Sequence, residues 1–304
     1  MVNRHKYKNI DWIDLESPKE EDILPLVAEF SLHPLVVDEL QRPSERARVD
    51  PYGKYMYMIF HFPGYKRGND KDASLEIDFI LGKNFIITSH YEPIDLFLEA
   101  SKALETKSIL DKFENETNSE VVFHHIMRAL YQHLGRELDH IKKDLAAVEK
   151  EIFIGHEDKM VHVLSRLNKA MIDFRHPLKL HLGILESLEA KEEKLFGASH
   201  EHYTEMIIGE YKKIWGQLEN NRELLADLRD TNDSLFSAKT NNIMKNLTIM
   251  SFLTFPLTLM TGIFSMNTAS TPLAGLENGF WIILGIMATA TILIVTLFKY
   301  KRWI

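Results

Sequence analysis

Residues 241–267 read NNIMKNLTIMSFLTFPLTLMTGIFSMN. The stretch opens polar, turns apolar at Leu247 and carries no charge from Asn246 until Glu277. That leaves room for a helix of roughly 20 residues, long enough to cross ~30 Å of hydrocarbon. A second apolar run, Phe280 to Phe298, follows after a short loop and ends at once in Lys299, Tyr300, Lys301, Arg302 and Trp303. A soluble protein can bury a core helix of similar composition, but two uncharged runs side by side at this length fit a chain that crosses a membrane twice.

The flanking charges set the orientation, because Lys and Arg are retained on the cytoplasmic side. Lys239 and Lys245 precede the first span, and Lys299, Lys301 and Arg302 follow the second. The loop from Thr268 to Gly279 has neither Lys nor Arg. Both termini are expected in the cytoplasm.

Within the first span Asn241, Met244, Thr248, Ser251, Phe255, Thr258 and Gly262 recur at steps of three and four, with Leu247 beside them. On a helix these positions form one stripe. Ser, Thr and Gly are common where membrane helices touch, so the stripe fits helix packing. It fits equally a pore wall, in which Asn and Thr oxygens face an ion or its water shell and apolar members form a constriction. Two spans cannot enclose a channel, so a pore requires an oligomer.

The rest of the chain reads as water-soluble. Of 304 residues, 45% are hydrophobic and 26% charged, enough for a soluble domain plus a small membrane part. Mean hydropathy lies slightly below zero, in agreement. Met1 to Ile10 is basic and polar, unlike a secretory signal. Cysteine is absent, which excludes disulfides and thiolate metal sites. A formal net charge of -8 argues against nucleic acid as a partner and suits a protein that attracts cations.

Ile10 to Leu15 is predicted as a short strand, and Ser17-Pro18-Lys19-Glu20-Glu21 as the N-cap, proline and acidic first turn of a helix running to about Phe30. Tyr52 to Phe62 and Ser74 to Ser89, rich in aromatic and β-branched residues, are predicted to pair as strands across a polar turn at Pro63 to Asp72. After Glu92 the pattern turns helical, with long runs such as Val121 to Phe153. Ile214, Leu218, Asn221, Leu225, Leu228, Asn232 and Leu235 alternate steps of four and three, a seam for helices packed in parallel with two Asn positions fixing register, and packing against other helices of the same chain accounts for it by itself. One helix from about Ser199 to about Ile263 would carry that seam into the first span. The expected architecture is α+β: an α/β part at 1–91, a helical part and stalk at 92–240, and a two-helix membrane domain at 241–304.

Acidic pairs stand at Glu149 and Glu151, Glu157 and Asp158, Glu186 and Glu189, and Glu192 and Glu193. On helices such pairs are expected as solvated faces. Adjacent His124-His125 and the spacing of His200-Glu201-His202 suit no shared helix face, so these are expected at the surface. No Gly-rich phosphate loop, nucleophile elbow or HExxH is present, and an enzyme would lack a site.

Met244-Lys245-Asn246-Leu247-Thr248, Phe255-Pro256-Leu257-Thr258 and Gly262-Ile263-Phe264-Ser265-Met266-Asn267, followed by a second span and a basic tail, resemble the CorA family of divalent-cation channels. Upstream, Trp12-Ile13-Asp14, the run from Leu32 to Leu40, Tyr52 to Phe60, and Phe79 to Thr88 are similar to that family's cytoplasmic domain. The family signature is Gly-Met-Asn, and Ser265 here stands in place of its Gly, where a backbone turn that favours glycine is expected.

The resemblance implies a homopentamer in the cell's inner membrane that admits Mg²⁺, and also Co²⁺ and Ni²⁺, without cofactor or ATP. It implies a selectivity filter at Ser265, Met266 and Asn267, and a polar path through Asn241, Thr248, Ser251, Thr258 and Gly262. Met244, Leu247 and Phe255 would be apolar constrictions along it. Lys299, Lys301 and Arg302 would contribute to a basic ring besides fixing topology. Intracellular divalent cations held by carboxylates between subunits would favour closure, and the Asn positions of the seam would be wet in a cytoplasmic vestibule. Two alternatives stand beside this: a ZntB-like carrier of Zn²⁺, suggested by Ser265, and a non-conducting membrane sensor of divalent ions.

Overall fold

The computed structural model describes residues 1–44, 46–63, 75–92, 118–197, 203–266 and 278–301. It forms two compact units, Met1–Arg229 and Asp230–Ile304.

The first unit is built on a sheet in which six strands are described: β1 (Val2–Tyr7), β2 (Ile10–Glu16), β3 (Arg48–Pro51), β4 (Tyr55–Phe62), β5 (Leu75–Gly82) and β6 (Phe85–His90). Their order is β1-β2-β6-β5-β4-β3, with only β2 and β6 parallel. The expected pairing is present: Tyr55 lies opposite Gly82 and Phe62 opposite Leu75. The 74–89 run divides at Lys83-Asn84 into two strands of a tight hairpin. Gly82 permits it, because a Cβ there would sit 2.1 Å from the Phe85 ring. Pro63 to Asp72 lies outside the described residues apart from Pro63. β1 and β3 escape sequence reading because edge strands bury little and their residues lack apolar alternation.

Alternation along each strand separates two buried faces. One takes Ile13, Leu15, Tyr55, Tyr57, Ile59, Ile80 and Ile87 against α1 (Glu20–Phe30) and α2 (Pro34–Glu39). The other presents Phe60, Phe62 and Phe79 to the helical layer, where Phe79 meets Phe123 edge-on at 5.2 Å. Between β2 and β6 a buried polar chain runs from Trp12 Nε1 to Thr88 Oγ1 (3.1 Å) and from Thr88 Oγ1 to Asp14 Oδ1 (2.6 Å). The start of α1 differs from expectation. Lys19 is its N-cap, with Asp22 accepting from the Lys19 N–H at 3.1 Å, while Ser17 adopts φ 44° and donates to the Tyr91 carbonyl. Pro18 separates Ser17 from the first turn, so the serine is too early to cap it.

Among the described residues four helices complete the unit: α3 (Ser119–Phe153), α4 (Glu157–Leu178), α5 (His181–Phe196) and the first part of α6 (Tyr203–Phe264). α6 is the long helix expected from about Ser199, a residue outside the described set. Contacts climb together along α3 and α6: Arg128 with Glu210, Tyr131 with Tyr211, Gly135 with Ile214, Leu138 with Asn221. The two helices are therefore parallel, as the seam predicts. Ile214, Leu218, Asn221, Leu225, Leu228 and Asn232 are all buried. Asn221 donates to the Leu138 carbonyl instead of facing water, which corrects the expectation of a wet vestibule position: the partner is the chain's own α3.

The second unit holds the rest of α6 and α7 (Gly279–Tyr300), which among the described residues are the two helices apolar and long enough to cross a membrane. Phe252 and Phe298 meet edge-on at 6.4 Å, and Ile249 and Phe298 are buried.

Candidate functional site

Every member of the stripe on α6 is exposed: Asn241, Met244, Leu247, Thr248, Ser251, Phe255, Thr258 and Gly262. The less exposed positions of the same span, Ile249, Leu253, Pro256, Leu257, Met260 and Phe264, form a second face. At 100° per residue the mean directions of the two faces lie about 170° apart. α7 answers with one face of its own, Ile283, Met287, Ala290, Thr291, Ile294 and Phe298. The stripe is thus not the surface on which the chain's second span packs.

Its hydroxyls are satisfied locally. Thr248 donates to the Met244 carbonyl (2.8 Å), Ser251 to Leu247 (2.9 Å) and Thr258 to Thr254 (2.9 Å). A hydroxyl whose proton is used in this way still offers oxygen lone pairs outward. Gly262 has open space where a side chain would stand.

At the end of α6 the Ser265 N–H donates to the Thr261 carbonyl at 2.9 Å, continuing the helix, and Met266 N–H reaches Ile263 at 3.3 Å. Among the described residues the non-glycines with positive φ are Lys8, Ser17 and Ser31, so Ser265 needs no glycine-only conformation. Asn267, the loop with Glu277, and Arg302 lie outside the described residues. Lys299 and Lys301 are exposed.

The stripe's register also continues upstream, a feature the sequence reading stopped short of. Glu223, Asp227, Asp230, Ser234 and Ser237 precede Asn241 at steps of four and three, and all five are exposed. The signal was the same alternation, masked by the change from hydroxyl and amide to carboxylate. The acidic pairs are more varied than solvated faces: Glu157 and Glu192 are buried, while Glu149, Asp158, Glu186, Glu189 and Glu193 are exposed. Among the described residues no three His, Asp or Glu side chains are gathered as a metal site. His124, expected at the surface, is buried, and burial, with the charges of His125 and Arg128, pushes it down to about 4. His200, Glu201 and His202 lie outside the described residues.

The family described as CorA-like Mg²⁺ transporter protein matches residues 7–302. The cobalt/magnesium transport protein CorA of Thermotoga maritima is 23% identical over 295 residues, 96% of this chain and 83% of that protein. The complete CorA magnesium transporter structure from Methanocaldococcus jannaschii superposes with a TM-score of 0.82 at 22% identity, covering 99% of this chain and 94% of that one. The ZntB cytoplasmic domain of Vibrio parahaemolyticus gives 0.61 at 15% identity, over 76% and 90% of the respective chains. These two likenesses establish the fold.

Proposed function

The chain belongs to the CorA-like Mg²⁺ transporter family, and from that premise we propose that it is a homopentameric channel for Mg²⁺, also passing Co²⁺ and Ni²⁺. The carrying observation is that the stripe lies on the face of α6 turned away from α7. The Asn241 amide and the outward lone pairs of the stripe's hydroxyls favour a partner other than lipid. Copies of α6 arranged around an axis supply one and enclose a pore.

In this pore, which comprises residues 241–304, Asn267 from each subunit presents amide oxygens to the waters of a hydrated ion, beside Ser265 and Met266. Stripping Mg²⁺ is costly, so selecting on the hydrated ion is the cheaper route. Thr258, Ser251, Thr248 and Asn241 continue the path past Gly262, and Phe255, Leu247 and Met244 narrow it. Glu223, Asp227 and Asp230 extend the same line with carboxylates that favour a cation. Both termini are cytoplasmic, the membrane is the cell's inner one, and Lys299, Lys301 and Arg302 hold that topology and add to a basic ring. A divalent ion entering across ~100 mV gains about 4.6 kcal/mol, so influx needs no ATP. Intracellular divalent cation bound by carboxylates between subunits closes the channel.

Ser265 in place of the signature glycine supports a second reading, a ZntB-like carrier of Zn²⁺. Uptake into proteoliposomes under an inside-negative potential, with Mg²⁺, Co²⁺, Ni²⁺ and Zn²⁺ offered separately, separates the two. Mg²⁺ entry abolished by Asn267→Ala is the expected result. Entry of Zn²⁺ alone supports the second reading, and no flux of any ion leaves a membrane sensor.

A further inference from the structure

Ser44 lies in the loop between α2 and β3, and both of its main-chain polar groups are held by one cross-strand pair of side chains. Its N–H donates to Glu76 Oε1 and Oε2 (2.9 and 2.7 Å), and its carbonyl oxygen lies 2.7 Å from His61 Nε2. His61 and Glu76 stand directly opposite each other on β4 and β5, with Nε2 3.3 Å from Oε2. Their side chains are 13% and 6% exposed, so the pair is screened little by solvent. All three residues line a cleft of about 600 Å³. The backbone behind the pair is fixed, because the His61 carbonyl accepts from Nε2–H of the fully buried His181 at 2.8 Å.

We propose that the His61–Glu76 pair is a proton-operated clasp that holds the Ser44 loop against the cleft most tightly while His61 is charged and loosens it when His61 loses one of its two ring protons, the uncharged Nε2–H being a weaker donor to the Ser44 carbonyl. The Glu76 carboxylate is buried, and a buried carboxylate deprived of its cation is costly. The hydrogen bond to Glu76 raises the His61 pKa and outweighs burial, with the Ser44 carbonyl adding to it. A group raised on folding contributes below its unfolded value and loses that contribution as pH rises through the folded one. The other titratable groups facing the cleft are Tyr91 and Glu92 beyond β6 and His176 on α4, and the pair itself is met by Asp78 on β5, on which the Glu76 charge acts, and by His181 on α5, which interacts with His61. Burial raises Tyr91 further above its ordinary range, so it stays neutral. His176 is the second imidazole and serves as the control. The clasp is independent of the channel reading, since it concerns the loop and its exchange alone.

The test is hydrogen exchange of peptides spanning 40–47 in the full chain, corrected for the intrinsic pH dependence of amide exchange, at pH 6 and pH 8.5. Protection is expected to fall about tenfold between them. His61→Gln should show low protection at both pH values, His61→Lys high protection at both, and His176→Gln the wild-type step. Exchange across α3 reports whether each variant is folded, and the wild-type step needs no variant. The proposal is overturned by a wild-type protection that does not change with pH, by a step that survives in His61→Lys, or by one that disappears in His176→Gln.

Discussion

Asn221 on α6 donates its Nδ2–H to the main-chain oxygen of Leu138 on α3, 2.9 Å away and shielded from solvent. An amide that bonds a neighbouring helix fixes the register of a parallel pair, because a shift by one turn leaves it unsatisfied. Asn221→Ala should lower the stability of the full chain by about 1–2 kcal/mol. Asn241→Ala, on the exposed stripe, should stay within about 0.5 kcal/mol. Denaturant unfolding in detergent measures both, and equal losses would deny the two asparagines their separate roles.

Close approach of the same helices is set by Gly135, where an added Cβ would stand 3.1 Å from Ile214 Cδ1 and 3.5 Å from Gln217 Oε1. Ile214 can yield a few tenths of an ångström, so Gly135→Ala should be tolerated, with the gain in helix propensity offsetting the crowding. Gly135→Leu should cost about 1–3 kcal/mol by overpacking. The melting temperatures of the two variants, read by circular dichroism, decide it: a Leu variant as stable as the Ala variant would mean that the helices do not meet here.

The periodic features were the legible ones. The 4-3 alternation announced both the seam and the stripe, and the strands at Tyr55–Phe62 and Leu75–Gly82 were marked by dense aromatic and β-branched content. What periodicity cannot say is which neighbour a face meets. Asn221 and Asn241 stand on one helix and look equivalent in sequence, yet one is buried on α3 and the other exposed. Adjacency to His125 points His124 to the surface, whereas its burial is a tertiary property that no neighbour in sequence announces. The clasp at Ser44 joins residues 17 and 32 positions apart, beyond the reach of any local pattern.

Acid should destabilise the first unit, Met1–Arg229, through His181. The residue is fully buried, accepts from Tyr131 OH at Nδ1 (2.9 Å), and burial pushes its pKa down to about 4. Its unfolded value is near 6.5, so between those limits the unfolded chain binds more protons and stability rises with pH. The stabilisation present above pH ~6.5 is therefore lost as pH falls towards 4, by up to roughly 3 kcal/mol. His90 acts in the opposite direction at higher pH: burial lowers it, but the bond to Asp14 and the Asp14 charge outweigh that and leave it raised. Denaturation midpoints of wild type and His181→Gln at pH 5 and pH 7.5 test the first claim. The variant should be less stable at pH 7.5 and show a smaller loss on acidification.

Ser265 continues the helix at φ below zero with its N–H on Thr261, so restoring the signature should not require refolding of this turn. Ser265→Gly is expected to assemble normally and to retain Mg²⁺ uptake within a factor of about three, since an exposed glycine at a helix end costs about 1 kcal/mol or less. Uptake in proteoliposomes measures it. A switch from Zn²⁺ to Mg²⁺ as the transported ion on this substitution would show instead that residue 265 sets the choice of metal.

The absence of cysteine from all 304 residues makes the stripe directly testable, because any thiol introduced is the only one present. Thr248→Cys, Ser251→Cys and Thr258→Cys place it on the stripe, whereas Leu253→Cys and Met260→Cys place it on the face turned towards α7. A charged, membrane-impermeant thiol reagent reacts with a thiolate, which forms in water and not in hydrocarbon or in a packed helix interface. If copies of α6 line a water-filled path, the three stripe positions should be modified at least about tenfold faster than the other two, a difference of about 1.4 kcal/mol in barrier. Modification at the stripe should also block ion uptake, since it places a bulky charge among the residues proposed to face the ion. Modification without loss of uptake would leave the stripe wet but outside the conducting path, and equal slow reaction at all five positions would return it to helix packing.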